Sequence, residues 1–212
     1  MLKVAFLFDP KNDWIRAHFP KELEKTKKFK SQILYDQSQV RGFDVVFVLG
    51  YTKILKGEIL SDNKLLLVVH ESNLPEGRGF SPVQWQILEG KNKIPVCLLE
   101  VSEAPDAGDI YLKSYIHLDG SELYDDIRSK QAEATFELVT TFLQEYPKLT
   151  PYAQVGEKSF YKRRTSKDSK LDVDKTIREQ FDLLRISNNQ DWPAFFELGG
   201  TEYTLKIERK VN

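Results

Sequence analysis

Two five-residue runs, Val45-Val46-Phe47-Val48-Leu49 and Leu65-Leu66-Leu67-Val68-Val69, are apolar at every position. Successive strand residues point to opposite faces, so a strand with no polar position is covered on both sides. The two runs therefore read as central strands of a mostly parallel sheet with helices on both faces. Val4 to Phe8 and Ile33 to Tyr35 are further strand candidates, and apolar runs alternate with helical or loop segments over roughly the first 120 residues.

The segments between these runs fit that pattern. Trp14, Ile15, His18, Phe19 and Leu23 recur at helical spacing, interrupted by Pro20. Val83, Trp85, Ile87 and Leu88 predict a short helix that Gly90 ends. Val96 to Leu99 and Ile110 to Tyr115 predict a hairpin-like extension of the sheet. A long helix is expected from Ser121 as N-cap, with Glu122, Asp125 and Asp126 at its positive end and Leu123, Ile127, Ala134, Leu138 and Phe142 on one face. Pro147 and Pro151 mark its end.

The character changes near Tyr152. Lys162 to Lys170 is a polar, basic run that reads as an exposed loop. Asp174 is expected to cap a helix carrying Ile177, Phe181 and Leu184. Ala194 to Leu198, Gly199-Gly200, then Tyr203, Leu205 and Ile207 in alternation predict a β-hairpin. The expected division is residues 1–150 as the principal domain and 151–212 as a loop, helix and hairpin extension.

Composition limits the partners. The net charge of −1 offers no global excess of cations for phosphates, so a dedicated nucleic-acid binder is not expected. The apolar runs are strand-sized, far short of a bilayer span, and the start Met1 to Phe8 reads as a first buried strand rather than a signal peptide. The single cysteine, Cys97, lies in the apolar run Ile94 to Leu99 and is expected to be a core thiol. It makes neither a disulfide framework nor a thiolate zinc cluster, so no metal is expected, and the cytoplasm is the expected compartment.

Two loops carry the residues with chemistry to offer: His70-Glu71-Ser72-Asn73-Leu74-Pro75-Glu76-Gly77-Arg78-Gly79 and Pro105-Asp106-Ala107-Gly108-Asp109-Ile110. A histidine can accept and return a proton near neutral pH, and a carboxylate beside it stabilises the imidazolium. His70 follows an apolar strand, at the carboxyl edge where open α/β sheets place ligands, and the next strand is expected to carry Asp106 to the same edge. Each residue alone has a plainer reading, as a structural histidine at a strand end and a turn aspartate.

Together the loops resemble those of the 10-formyltetrahydrofolate-dependent formyltransferases. His70, Ser72, Leu74, Pro75, Arg78 and Gly79 match the His-x-Ser-Leu-Leu-Pro-x-x-Arg-Gly loop, and Pro82, Trp85, Ile87 and Gly90 continue the match. Asp106, Gly108 and Ile110 match the Asp-x-Gly loop. Phe160 to Asp172 resembles the Arg-Arg-Thr-Pro-x-Asp-x-x-Ile-Asp-Trp segment that follows the catalytic domain, with Ser166 for the proline and Val173 for the tryptophan. The resemblance implies a Rossmann-like α/β formyltransferase domain with a mostly parallel central sheet and a short C-terminal helix and β-hairpin. It is nearest in kind to the sugar N-formyltransferases of the pseudaminic-acid type, and extends to methionyl-tRNA formyltransferases and peptide-synthetase formylation domains.

The resemblance also implies roles. The expected formyl donor is 10-formyltetrahydrofolate, released as tetrahydrofolate, and the expected acceptor is the amine of a nucleotide-linked amino sugar, a UDP-sugar favoured. His70 and Asp106 are the expected catalytic pair. Lys53, Ile54, Leu55, Asp106 and Gly108 are expected to hold the folate, the first three through main-chain groups at the pterin. Arg78, Gly79, Tyr161, Arg163 and Arg164 are expected on the acceptor side. The family's asparagine two positions before the histidine is replaced here by Val68. Asn73 is the candidate replacement as oxyanion donor, with stabilisation of the turn before Leu74-Pro75 as its other reading. No nucleic acid and no membrane are expected as partners, and a homodimer stays open. Three rivals stand beside this reading: an aminoacyl group on a carrier protein or tRNA as acceptor, water as acceptor in a formyl-folate hydrolase, and a non-catalytic folate-binding module.

Overall fold

The computed structural model describes residues 1–12, 14–24, 26–55 and 57–210. A six-stranded sheet organises it, with the strands in the spatial order Lys30–Leu34, Lys3–Phe8, Val45–Leu49, Leu66–His70, Lys93–Glu100 and Ile110–His117. The chain runs through β1 (Lys3–Phe8), the short helices α1 (Trp14–Ala17) and α2 (Lys21–Glu24), β2 (Lys30–Leu34) and β3 (Val45–Leu49) to β4 (Leu66–His70). Then come β5 (Arg78–Gly79), α3 (Pro82–Leu88), β6 (Lys93–Glu100), β7 (Ile110–His117) and the long helix α4 (Tyr124–Glu145). The last stretch holds β8 (Phe160–Tyr161), α5 (Phe181–Arg185), β9 (Ala194–Leu198) and β10 (Thr201–Leu205). No helix among the described residues is long and apolar enough to cross a membrane.

The expected α/β class, mostly parallel sheet and C-terminal helix and hairpin are what the structure has. The run Val45–Leu49 is β3, buried at all five positions and paired in parallel with β1 and β4. Alternation splits the core in two. On one side Phe6, Phe47, Leu67 and Leu98 meet α4 through Phe142, whose ring stands edge-on to Phe47 at 5.8 Å. On the other side Ala5, Leu7, Val46, Val48 and Leu66 pack with the partly buried Leu55, Val68 and Val101. Each large side chain fully buried this way contributes roughly 1.5–3 kcal/mol.

Several expected boundaries differ. The helix foreseen across Trp14 to Leu23 is two short helices, because Pro20 has no N–H to continue the ladder. β2 starts at Lys30, since pairing with β1 recruits polar residues that have no apolar signal. α4 starts at Tyr124, not after Ser121: Asp126 Oδ2 accepts the Leu123 N–H at 3.1 Å, while Ser121 N–H bonds to Asp119. α5 starts at Phe181 and Asp174 caps no helix, because Gln180 and Glu179 turn their side chains back onto the backbone of Asp172 and Thr176. Ile177 is correspondingly exposed, and Trp192 is half-exposed. The Gly199-Gly200 turn joins β9 and β10 with φ of 60° and 79°, which residues without a Cβ adopt readily.

Candidate active site

β4 delivers His70 as its last residue, 6% exposed. Its ring Nε2 lies 2.8 Å from the carbonyl of Gly77. A carbonyl only accepts, so Nε2 carries the hydrogen and Nδ1 is the basic nitrogen of the neutral ring. Nδ1 faces Asp106 Oδ1 at 3.5 Å.

Asp106 reaches this place by a route that differs from the expected one. β6 runs antiparallel to β4, pairing Cys97 with His70 and Glu100 with Leu67. The loop after β6 therefore leaves at the amino end of β4 and folds back by about three residues' rise, ~10 Å, to bring Asp106 beside His70. Gly108 makes the fold-back close: a Cβ there would lie 1.8 Å from the Glu100 carbonyl oxygen. Asp106 itself has φ of 55°, in the left-handed region.

The two loops are then bonded to each other and to the segment after α4. The Gly79 N–H donates to Asp106 Oδ2 at 2.9 Å. Gly79, φ 102°, leaves no room for a side chain, because an added Cβ would meet the Tyr161 carbonyl at 2.4 Å. That closeness is the β5–β8 pairing, which sets Arg78 opposite Phe160 and Gly79 opposite Tyr161. Gln154 bonds the carbonyls of Asp106 and Gly108 and accepts from Arg78. Ser159 accepts the Gly77 N–H through its hydroxyl.

The other expected site residues are distributed as follows. Asn73 is exposed, and its Oδ1 accepts from Lys113 Nζ at 2.7 Å. Ser72 is 1% exposed, with a buried hydroxyl that has no partner among the described residues. Val68 packs with Leu74, Cys97, Leu99 and Ile110, so the slot is apolar. The parallel register Val48 to Val68 puts Gly50 level with His70, so Lys53, Ile54 and Leu55 follow β3 at the same sheet edge. Among the described residues their main-chain groups make no hydrogen bonds to other protein groups, and Leu55 packs in the same apolar cluster as Val68 and Val101.

Most of the basic run is engaged internally. Lys162 pairs with Asp168 at 2.9 Å, and Lys170 with Glu197 at 2.7 Å. Arg164 donates to the Asp168 carbonyl, and burial lowers its guanidinium from the ordinary value. Tyr161 stacks on Trp85 and donates to Glu89; burial and the Glu89 carboxylate both push its phenol up. Arg163 lies over the exposed Phe80 ring at 4.2 Å, and no described carboxylate comes within 4.0 Å of it. Burial pushes the Cys97 thiol up, as suits a core residue.

A cavity of about 520 Å³ opens elsewhere, between the start of α4 and residues Ser187 to Gln190 and Lys206 to Arg209. It has neither histidine nor cysteine in its walls, and the reactive groups converge instead at His70 and Asp106. Gln154, Ser159, Lys113 and Glu89 join the site without any sequence signal: each is an ordinary polar residue in a polar context until pairing places it.

Comparison with known proteins gives the following. The family model described as Formyl transferase matches residues 5–143. A methionyl-tRNA formyltransferase of Sulfurihydrogenibium sp. (strain YO3AOP1) is 33% identical over 172 residues, covering 79% of this chain and 55% of that protein. The chain thus spans little more than half the length of that curated relative. A methionyl-tRNA formyltransferase from Clostridium thermocellum superposes with TM-score 0.81 at 20% identity, over 99% of this chain and 94% of the other. A sugar N-formyltransferase from Shewanella sp superposes with TM-score 0.72 at 14% identity, over 100% and 99%. At these identities the two structures speak for the fold alone.

Proposed function

The chain belongs to the formyl transferase family, and we propose that it moves a formyl group from 10-formyltetrahydrofolate to the amine of a nucleotide-linked amino sugar. The observation that carries the transfer reading is the His70–Asp106 pair, with Nδ1 the free nitrogen and a carboxylate oxygen 3.5 Å from it. Formyl transferases use formyl-tetrahydrofolate. The main-chain groups of Lys53 to Leu55, unengaged among the described residues and beside the apolar Leu55, Val68 and Val101, suit a flat ring that hydrogen-bonds at its edge.

In the proposed step, the acceptor nitrogen forms a bond to the formyl carbon, whose C=O electron pair moves onto oxygen. His70 Nδ1 takes the proton that the acceptor nitrogen loses, and Asp106 stabilises the resulting imidazolium. When the bond from the formyl carbon to the folate nitrogen breaks, Nδ1 returns that proton to the leaving nitrogen. One formyl group and one proton have then moved, and His70 is as it began. Asn73 is proposed as the oxyanion donor in place of the missing asparagine. Gly108 is proposed on the folate side and Arg78, Gly79, Tyr161, Arg163 and Arg164 on the acceptor side.

The state of the basic run supports a small acceptor. With Lys162, Arg164 and Lys170 bonded within the chain, Arg163 and Lys167 remain, and of these Arg163 has the planar fork that meets a diphosphate by two parallel hydrogen bonds. The aminoacyl-tRNA reading is favoured by the 33% identical relative, and stands second. Residues 1–150 are proposed as the catalytic domain and 151–212 as its extension. The test is turnover of formyl-folate with UDP-linked and other nucleotide-linked amino sugars, charged initiator tRNA, aminoacyl carrier protein, or no amine. Formylation of the sugar amine alone is expected. Efficient formylation of charged tRNA at physiological salt, or consumption of donor without any amine, would overturn the acceptor assignment.

A further inference from the structure

Gln154, in the segment between α4 and β8, ties the two loops of the site to each other. Its Nε2 donates to the main-chain carbonyls of Asp106 at 2.9 Å and Gly108 at 2.8 Å, and its Oε1 accepts from Arg78 Nη2 at 2.6 Å. The partners dictate the amide's orientation: turned over, its oxygen would face two carbonyls and its NH₂ a guanidinium. Arg78 is 7% exposed, and no described carboxylate comes within 4.0 Å of it. A buried cation without a counter-ion is costly, so the Gln154 oxygen matters to it more than a neutral hydrogen bond would.

These bonds close a ring. Arg78 is followed by Gly79, whose N–H holds Asp106 Oδ2; the Asp106 carbonyl returns to Gln154, and Gln154 to Arg78. Asp106 has a left-handed backbone, uncommon for a residue with a side chain though best tolerated by Asp and Asn, and the bonds to its carboxylate and its carbonyl hold that pose. We propose that Gln154 is a positioning residue for the His70–Asp106 pair and that Arg78 is the cation that orients it. The catalytic consequence rests on the formyl-transfer reading; the geometric consequence for His70 does not.

The charged and titratable groups around His70 are few. Asp106 faces Nδ1 from the loop before β7, and Cys97 is its neighbour in register on β6. Glu71, next along the chain, turns its carboxylate to Gln131 of α4, and Lys113 of β7 is held by Asn73. Arg78 reaches Asp106 only through Gln154 and Gly79. Displacing Asp106 therefore removes the one carboxylate, among the described residues, aimed at the ring.

The test uses the full chain with Gln154→Ala, Gln154→Asn, Arg78→Lys and Arg78→Met. Gln154→Ala is expected to lower kcat roughly 10- to 100-fold with KM for formyl-folate within about twofold, because the reacting groups are misplaced rather than removed. The acidic limb of its kcat/KM profile moves to lower pH, since a displaced Asp106 stabilises the imidazolium less. The pH midpoint of the His70 ring signals in NMR, identified by their loss in His70→Gln, moves the same way. The neutral Arg78→Met moves the midpoint as Gln154→Ala does, and Arg78→Lys, which keeps a cation near Oε1, moves it less. If Gln154→Ala does not fold, the shorter Gln154→Asn reads the same quantities. A folded variant with unchanged kcat and unchanged midpoint overturns the proposal. A midpoint that moves in a protein formylating no acceptor keeps the positioning role and overturns the transfer reading instead.

Discussion

Lys113 Nζ donates to the side-chain oxygen of Asn73 at 2.7 Å, which leaves the Asn73 amide NH₂ as the end not held by any described residue. Lys113 pairs with Cys97, and Cys97 with His70, so the lysine stands two strands, ~10 Å, from the histidine. If this amide replaces the family's asparagine, Asn73→Leu lowers kcat on the order of a hundredfold with little change in folate affinity. Lys113→Met, which releases the same side chain without removing it, lowers kcat less. A wild-type rate in Asn73→Leu moves the role to the partnerless Ser72 hydroxyl or a main-chain N–H.

His70→Ala and Asp106→Asn are each expected to lower kcat about 100- to 10,000-fold while the protein stays folded. Asparagine keeps an acceptor for the Gly79 N–H but loses the charge that faces Nδ1. Steady-state rates, with circular dichroism as the folding control, decide this. Near-normal turnover in either variant ends the assignment of the pair.

Gly108→Ala puts a methyl group where the Glu100 carbonyl already stands, 1.8 Å from the ideal position. The Asp106 loop must shift, at a cost of roughly 1–3 kcal/mol. A lowered Tm together with lost activity is expected. An unchanged Tm would show that the loop does not close against β6 as described.

Asp168 is held at about 2, against an ordinary value of 3.8, by its bond from Lys162 and by the Thr165 N–H. A carboxyl depressed in the folded state stabilises fully above its unfolded value, and that contribution is lost as pH falls through the folded one. The Thr165 amide resonance is therefore expected to move as pH drops from about 4 to about 2. Asp168→Asn should show no such movement; if it titrates alike, another group controls the turn.

What could be read from the chain alone was whatever single segments encode by burial. Val45–Leu49 is a strand in the structure to the residue, because an all-apolar pentad has no wet face to offer. The Gly-Gly hairpin and the Gly90 helix end were equally legible, since backbone sterics act locally. Helix starts at Tyr124 and Phe181 were not, because Ser121, Asp174, Asp126 and Gln180 all offer caps and packing selects among them. The two loops that carry His70 and Asp106 stood out by residue type. Their meeting is a tertiary matter: antiparallel β6 sends the Asp106 loop away from His70's edge, and only the fold-back against Glu100, the pairing of β5 with β8 and the bonds of Gln154 return it. Those bonds join residues 46 to 82 positions apart, a separation at which local sequence has no preference to express.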